Sequence, residues 1–123
     1  MLLAVAAGGA LGTLLRAGSV VRWAQPPGGW PLATLAVNLL GTFALGAVVG
    51  SGRPRGAIPR TALSAGLLGA LTTFSTIIAE AMELVISGRT GRAAAYLAVS
   101  IACGLAVAAL GVHAGRTISE PAG

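Results

Sequence analysis

The chain has 123 residues, of which 55% are hydrophobic and only 9% charged, with a mean hydropathy of +0.87. A soluble domain carries about 25% charged residues, so the composition excludes a water-soluble globular protein and identifies an integral membrane one. The net charge of +5 comes from arginines set singly at the flanks of apolar runs, which is interfacial anchoring and not the clustered basic face that nucleic acid demands.

Four apolar runs, at about 2–21, 32–50, 62–86 and 93–112, are long enough to cross a bilayer core, which takes roughly 17–25 helical residues. Their connections are short and made of turn formers: Gln25-Pro26-Pro27-Gly28-Gly29, Ser51-Gly52-Arg53-Pro54-Arg55-Gly56 and Ser87-Gly88-Arg89-Thr90-Gly91. The expected organisation is a single four-helix transmembrane domain over 1–116 and a polar C-terminal tail over 117–123. No Arg precedes Arg16, so the first run lacks the basic segment of a cleaved signal and reads as a permanent span.

The first run places Gly8, Gly12 and Arg16 four apart, on one helix face. The glycines suit close helix packing. Arg16 lies about a turn inside the apolar boundary, where it either snorkels to the interface or faces a wet mouth and attracts anions. The second run carries Thr34, Asn38 and Thr42 as one polar stripe. A threonine can bond back to its own helix, but the Asn38 amide has two donors and an acceptor that its helix cannot satisfy. It must therefore clamp another helix or line a pathway.

The third run is interrupted in its middle. Gly69-Ala70-Leu71-Thr72-Thr73-Phe74-Ser75-Thr76 sets a glycine, three threonines, a serine and a phenylalanine where a lipid-facing helix would be uniformly apolar. Glycine and threonine weaken a helix, and the hydroxyls compete for its backbone bonds. Loosened backbone at membrane depth survives only where it is buried in protein or lines a wet cavity. Glu80 and Glu83 continue the polar face, and a carboxylate there needs an arginine partner or a water-filled vestibule. The fourth run has Tyr96, Ser100 and Cys103 on one face, with Tyr96 near the start of the span, where interfacial aromatics are common, and His113 at the far boundary. One cysteine and one histidine build neither a disulfide framework nor a metal site. No nucleophile–base constellation is present, so the chain is not expected to be an enzyme.

Arginines divide evenly between the two ends of a four-span bundle: Arg53, Arg55, Arg60 and Arg116 on one side, Arg16, Arg22, Arg89 and Arg92 on the other. Orientation follows an excess of basic residues on the cytoplasmic side, and here 4 − 4 = 0. A chain without bias can insert both ways and pair antiparallel.

Three segments together carry a resemblance: GGALGTLLR at 8–16, TLAVNLLGTFALG at 34–46 and GLLGALTTFST at 66–76. Over nearly its whole length the sequence resembles the Fluc (CrcB-type) fluoride channels. That resemblance implies an all-α membrane protein of four transmembrane helices, the third broken at its centre, assembling as an antiparallel dual-topology dimer in the bacterial inner membrane. It implies passive, fluoride-selective export that protects against fluoride toxicity. It also implies a structural sodium ion at the dimer centre on the backbone carbonyls of Gly69 and Thr72 from both subunits. The implied fluoride pathway uses Asn38, Phe74, Ser75, Thr76, Tyr96 and Ser100, with Arg16 near a vestibule.

One position departs from the family pattern. The segment that usually reads TTFSTF reads TTFSTI here, so Ile77 stands where a second phenylalanine is usual. An aromatic edge carries partial positive charge that can meet an anion, and an aliphatic side chain does not. Either the homodimer conducts with an altered pore, or a paralogous subunit supplies the missing ring. A small proton-coupled exporter is the rival among four-helix proteins, but it needs a titratable acid deep in the bundle, and the two acids here lie toward one end of the third run.

Overall fold

The computed structural model describes residues 1–119 and is entirely helical. Helix α1 spans Leu2–Arg22 and α2 spans Leu32–Ser51. The third crossing is split into α3 (57–71) and α4 (Ser75–Ile86), and α5 spans Thr90–Ser119. Four stretches, Leu2–Arg22, Leu32–Ser51, Ala57–Ile86 and Thr90–Ser119, are long and apolar enough to cross a membrane. The last expected span ends at 112, but α5 continues as helix to Ser119 and so takes in the first residues of the expected tail. Residues 120–123 of that tail lie outside the described residues.

Glycines mark the helix ends. Gly52 caps α2 at φ +66 and Gly88 follows α4 at φ +74, the left-handed conformation that glycine adopts without steric cost. Between α1 and α2 the chain turns at Pro26-Pro27-Gly28-Gly29. Gly29 N–H donates to the Pro26 carbonyl at 2.9 Å, Pro27 takes the second position and Gly28 the third at φ +72, which is the sequence chemistry of a type II turn.

Packing rests on small residues, because between helices in lipid close backbone approach replaces the hydrophobic effect. Gly8 and Gly12 of α1 face the backbone of α3: a Cβ at Gly12 would sit 2.2 Å from the Leu67 carbonyl oxygen, and one at Gly8 2.6 Å from that of Ala62. The Ala62–Leu68 stretch of α3 at this contact is wound as a π-helix. The second pair, α2 and α5, meets through Gly46, Gly50, Gly111 and Gly115, each with the other helix's backbone 2.1–2.6 Å from the missing Cβ. Helix α4 closes the bundle against α5 through a buried cluster of Ala81, Leu84, Ala93 and Tyr96. Leu3, Leu14, Leu40 and Leu105 are left on the outside, as lipid-facing side chains should be.

The break itself is local. Thr72 takes an extended conformation (φ −81, ψ 148) after the last turn of α3. Thr73 then caps α4: its Oγ1 accepts the Thr76 N–H at 3.2 Å, which satisfies one of the orphan donors of the new helix. Gly41 of α2 is buried against Thr72, whose Cγ2 lies 2.6 Å from the place a Cβ would occupy.

Candidate functional site

The break is held open from α2. Asn38 Nδ2 donates to the Thr73 carbonyl at 2.9 Å, and Asn38 Oδ1 accepts the Thr73 N–H at 2.7 Å. The pairing of a carbonyl with the amide nitrogen and an N–H with the amide oxygen fixes the orientation of the side chain. In an unbroken helix the Thr73 N–H would close onto the Gly69 carbonyl four residues back. Asn38 takes that donor and keeps the helix parted. One N–H of the amide is not used by this clamp.

Beside the clamp is a cavity of about 260 Å³ whose wall includes Asn38, Thr72, Phe74, Ile77 and Ser100. Ser100 Oγ is buried at this wall with no hydrogen bond of good geometry, and the hydroxyl within its reach is that of Tyr96, one turn before it on α5. Phe74 is 69% exposed and stands at the start of α4. Ile77, the residue that departs from the family pattern, shares the cavity wall with it.

A second group of hydroxyls lies on the side of the break that faces α1. Thr73 Oγ1 is 3.2 Å from both Ser75 Oγ and Thr76 Oγ1, and Arg16 Nη1 donates to Thr76 Oγ1 at 3.3 Å. Arg16 Nε is buried with no partner. Arg16 thus reaches the break. Its charge sits where donors converge.

The third group is centred on Glu80. Its Oε1 accepts Thr34 Oγ1–H at 2.5 Å and its Oε2 accepts Tyr96 O–H at 2.6 Å. Thr34 is 3% exposed and Tyr96 fully buried, so Tyr96 is not the interfacial anchor that its place near the run's start suggests. Helix α5 begins at Thr90, which carries Tyr96 nearly two turns inward, and Trp30 packs edge-on against its ring at 6.4 Å. Hydroxyls hold the Glu80 carboxylate where the sequence suggested an arginine or a wet vestibule. Of these two, the vestibule is present: Glu80 and Glu83 line a cavity of about 240 Å³ at the end of the bundle.

The site residues therefore fall in three linked groups along α4. Asn38, Phe74 and Ser100 share a cavity, Ser75 and Thr76 meet at the Thr73 hydroxyl with Arg16 bonded to Thr76, and Tyr96 stands at Glu80. Thr34, Thr73 and Glu80 complete the arrangement: Glu80 was visible as a costly carboxylate and Thr73 as part of the interrupted stretch, whereas Thr34 was legible only as a member of a polar stripe. Thr34 sits four residues before Asn38, and that spacing was the signal. Together the groups offer amide, hydroxyl and guanidinium donors along one seam, which suits an anion that must shed water and be met by fixed dipoles.

Gly69 and Thr72 lie at the end of α3. With the Thr73 N–H taken by Asn38, the Gly69 carbonyl loses its helical donor, while Thr72 Oγ1 turns back to the Leu68 carbonyl at 3.0 Å. A carbonyl oxygen freed in this way is a donor of the kind hard cations take.

Comparison with known proteins agrees with this reading of the fold. Residues 3–112 match the family model described as CrcB-like protein, Camphor Resistance (CrcB). The fluoride-specific ion channel FluC 1 of Geobacillus kaustophilus (strain HTA426) is 41% identical over 113 residues, covering 91% of this chain and 95% of that protein. The fluoride-specific ion channel FluC of Stutzerimonas stutzeri (strain A1501) is 43% identical over 121 residues, 94% of this chain and 97% of its own length. The fluoride-specific ion channel FluC 2 of Nocardia farcinica (strain IFM 10152) is 40% identical over 119 residues, 94% and 85% respectively.

Proposed function

The chain belongs to the CrcB family, and from that premise we propose that it is a passive, fluoride-selective channel, a multi-pass protein of the bacterial inner membrane that lets fluoride leave the cytoplasm and so limits its toxicity. The observation that carries the reading is the Asn38 clamp on the broken helix, beside a cavity that also presents Phe74 and the buried Ser100 hydroxyl. Fluoride is small and strongly hydrated, so a pore must replace its water with close, rigid donors and without a deep charge trap. An interior-negative membrane supplies the driving force, about 2.3 kcal/mol per unit charge for each 100 mV.

Two further parts of the proposal concern assembly. The working unit is an antiparallel dimer of oppositely inserted copies. With Arg16 turned inward, the flanking arginines number four against three, 4 − 3 = 1, which is too small a bias to fix one orientation. The exposed Phe74 ring supports the same assembly, since it extends the break toward a neighbour. A sodium ion held by the Gly69 and Thr72 carbonyls of both copies would bind the two breaks together and supply a fixed positive charge at the centre.

Fluoride efflux from liposomes containing this chain alone, read with a fluoride electrode and against chloride efflux, tests the reading. Fast efflux of fluoride with negligible chloride is expected. Equal fluxes of the two anions would sink it. Ile77 favours one second reading, a heterodimer. In that case the chain alone is silent, and adding a homologous subunit with phenylalanine at that position restores efflux.

A further inference from the structure

The vestibule at Glu80 is bounded on one side by the Pro26–Gly29 turn and on the other by Thr34, Glu80 and Glu83. Its volume of about 240 Å³ holds roughly eight waters at about 30 Å³ each. The turn belongs to none of the three helices that carry the Glu80 group. Two arginines from the α4–α5 junction hold it instead. Arg89 Nη1 donates to the Pro27 carbonyl at 3.2 Å, and Arg92 Nη1 donates to the Gly28 carbonyl at 2.9 Å.

We propose that this turn is a lid over the mouth of the Glu80 vestibule, and that Arg89 and Arg92 are its latch. Three observations lead there. The latch bonds join groups 62 and 64 residues apart in sequence, from the α4–α5 loop and the first turn of α5, so they fasten the turn to the α4–α5 end. Both arginines are exposed, and hydrogen bonds in water exchange readily with solvent, so the latch can open without unfolding the bundle. Gly28 is shaped to receive it: a Cβ there would lie 0.9 Å from Arg89 Nη1 and 2.1 Å from its Cζ. A side chain at that position and the present placement of the guanidinium exclude each other.

The latch also bears on charge. Glu80 and Glu83 face the mouth, and an anion passing them meets like charge. Two guanidiniums on the lid bring opposite charge to the same rim. Arg89 and Arg92 are therefore positioning residues for the mouth. Their part in conduction rests on the channel reading above, whereas the latch stands on its own geometry.

The test reads access rather than flux. In the full-length protein, Thr34→Cys places a thiol at the floor of the vestibule, and native Cys103, half-buried on α5, serves as the internal control. Purified protein in detergent is treated with a charged methanethiosulfonate, and modification of each cysteine is followed by peptide mass spectrometry. Against the Thr34→Cys parent, the added pair Arg89→Gln and Arg92→Gln should speed modification at position 34 by roughly tenfold, the factor given by loss of one net charge-assisted hydrogen bond. Cys103 should be unaffected. A neutral methanethiosulfonate should show the same acceleration, since loss of two positive charges alters the local concentration of a charged reagent only. An unchanged rate at position 34 overturns the latch. So does equal acceleration at both cysteines, because the arginines would then hold the fold as a whole. Fluoride efflux by the unsubstituted chain separates the two proposals: no flux from it, with latch-dependent access in the Thr34→Cys background, defeats the channel reading alone.

Discussion

Replacing Asn38 by leucine should lower fluoride efflux by about a hundredfold or more while the protein still purifies as a folded species. The side chain holds both polar groups of the Thr73 peptide unit. Leaving a buried donor and acceptor unmade costs about 1–3 kcal/mol each, and about 2.8 kcal/mol is already a factor of a hundred. The chain has a cheaper course open to it. With leucine at position 38, the Thr73 N–H is free to close onto the Gly69 carbonyl, so the third crossing can heal into continuous helix. The result is a stable protein whose break has gone, with its carbonyls and the Thr73 cap withdrawn. Asn38→Asp separates the parts: it keeps an acceptor for the Thr73 N–H but sets a negative charge against the Thr73 carbonyl and against the ion. Flux should fall there too, with a loss of thermal stability that the leucine variant does not show. Undiminished efflux in the leucine variant would remove Asn38 from the passage.

That the break and its clamp could be seen in the residues has a physical reason. Glycine, clustered hydroxyls and an asparagine amide are each unfavourable in a lipid-facing helix, so their presence at 69–76 and at 38 announces protein or water around them. Arg16 and Glu80 were visible as costly charges for the same reason, but spacing alone left their partners open. Tyr96 was open to two readings because an aromatic near the edge of an apolar run resembles an anchor, and the start of α5 at Thr90 puts it inside. The helix pairings were half legible. Gly8 and Gly12 declare a packing face within one helix, whereas Gly46, Gly50, Gly111 and Gly115 acquire meaning only once α2 and α5 lie side by side. The arginine-held turn was out of reach, since its two partners are more than sixty residues apart and neither is buried.

The largest effect on folding is expected at Gly12, and a matched glycine on the same helix sets the scale. Gly12→Leu should yield no monodisperse protein in detergent, whereas Gly18→Leu should be close to neutral. Both are glycines within α1, so backbone propensity favours the two substitutions alike, by up to about 1 kcal/mol. Only the surroundings differ. A Cβ at Gly18 meets nothing within 4 Å, but at Gly12 it would stand 2.2 Å from the Leu67 carbonyl oxygen and 3.0 Å from the Leu71 N. These are backbone atoms of α3 and cannot rotate away. To reach an ordinary contact of 3.4 Å the helices must part by about 1.2 Å, since 3.4 − 2.2 = 1.2. A gap of 0.5–1 Å already forfeits about a quarter to a half of each dispersion contact, and in lipid such contacts are most of what holds two helices together. Gly12→Ala is the informative intermediate. It imposes the same Cβ without a leucine's bulk, so α1 should shift while the bundle survives. Arg16, one turn further along that helix, would then draw away from Thr76 at the break, where its bond is already 3.3 Å long. The expected signature is folded protein with reduced efflux, measured by size exclusion and the fluoride electrode on the same preparation. Full efflux from Gly12→Ala would show that the α1–α3 contact serves stability alone and that Arg16 need not touch the break.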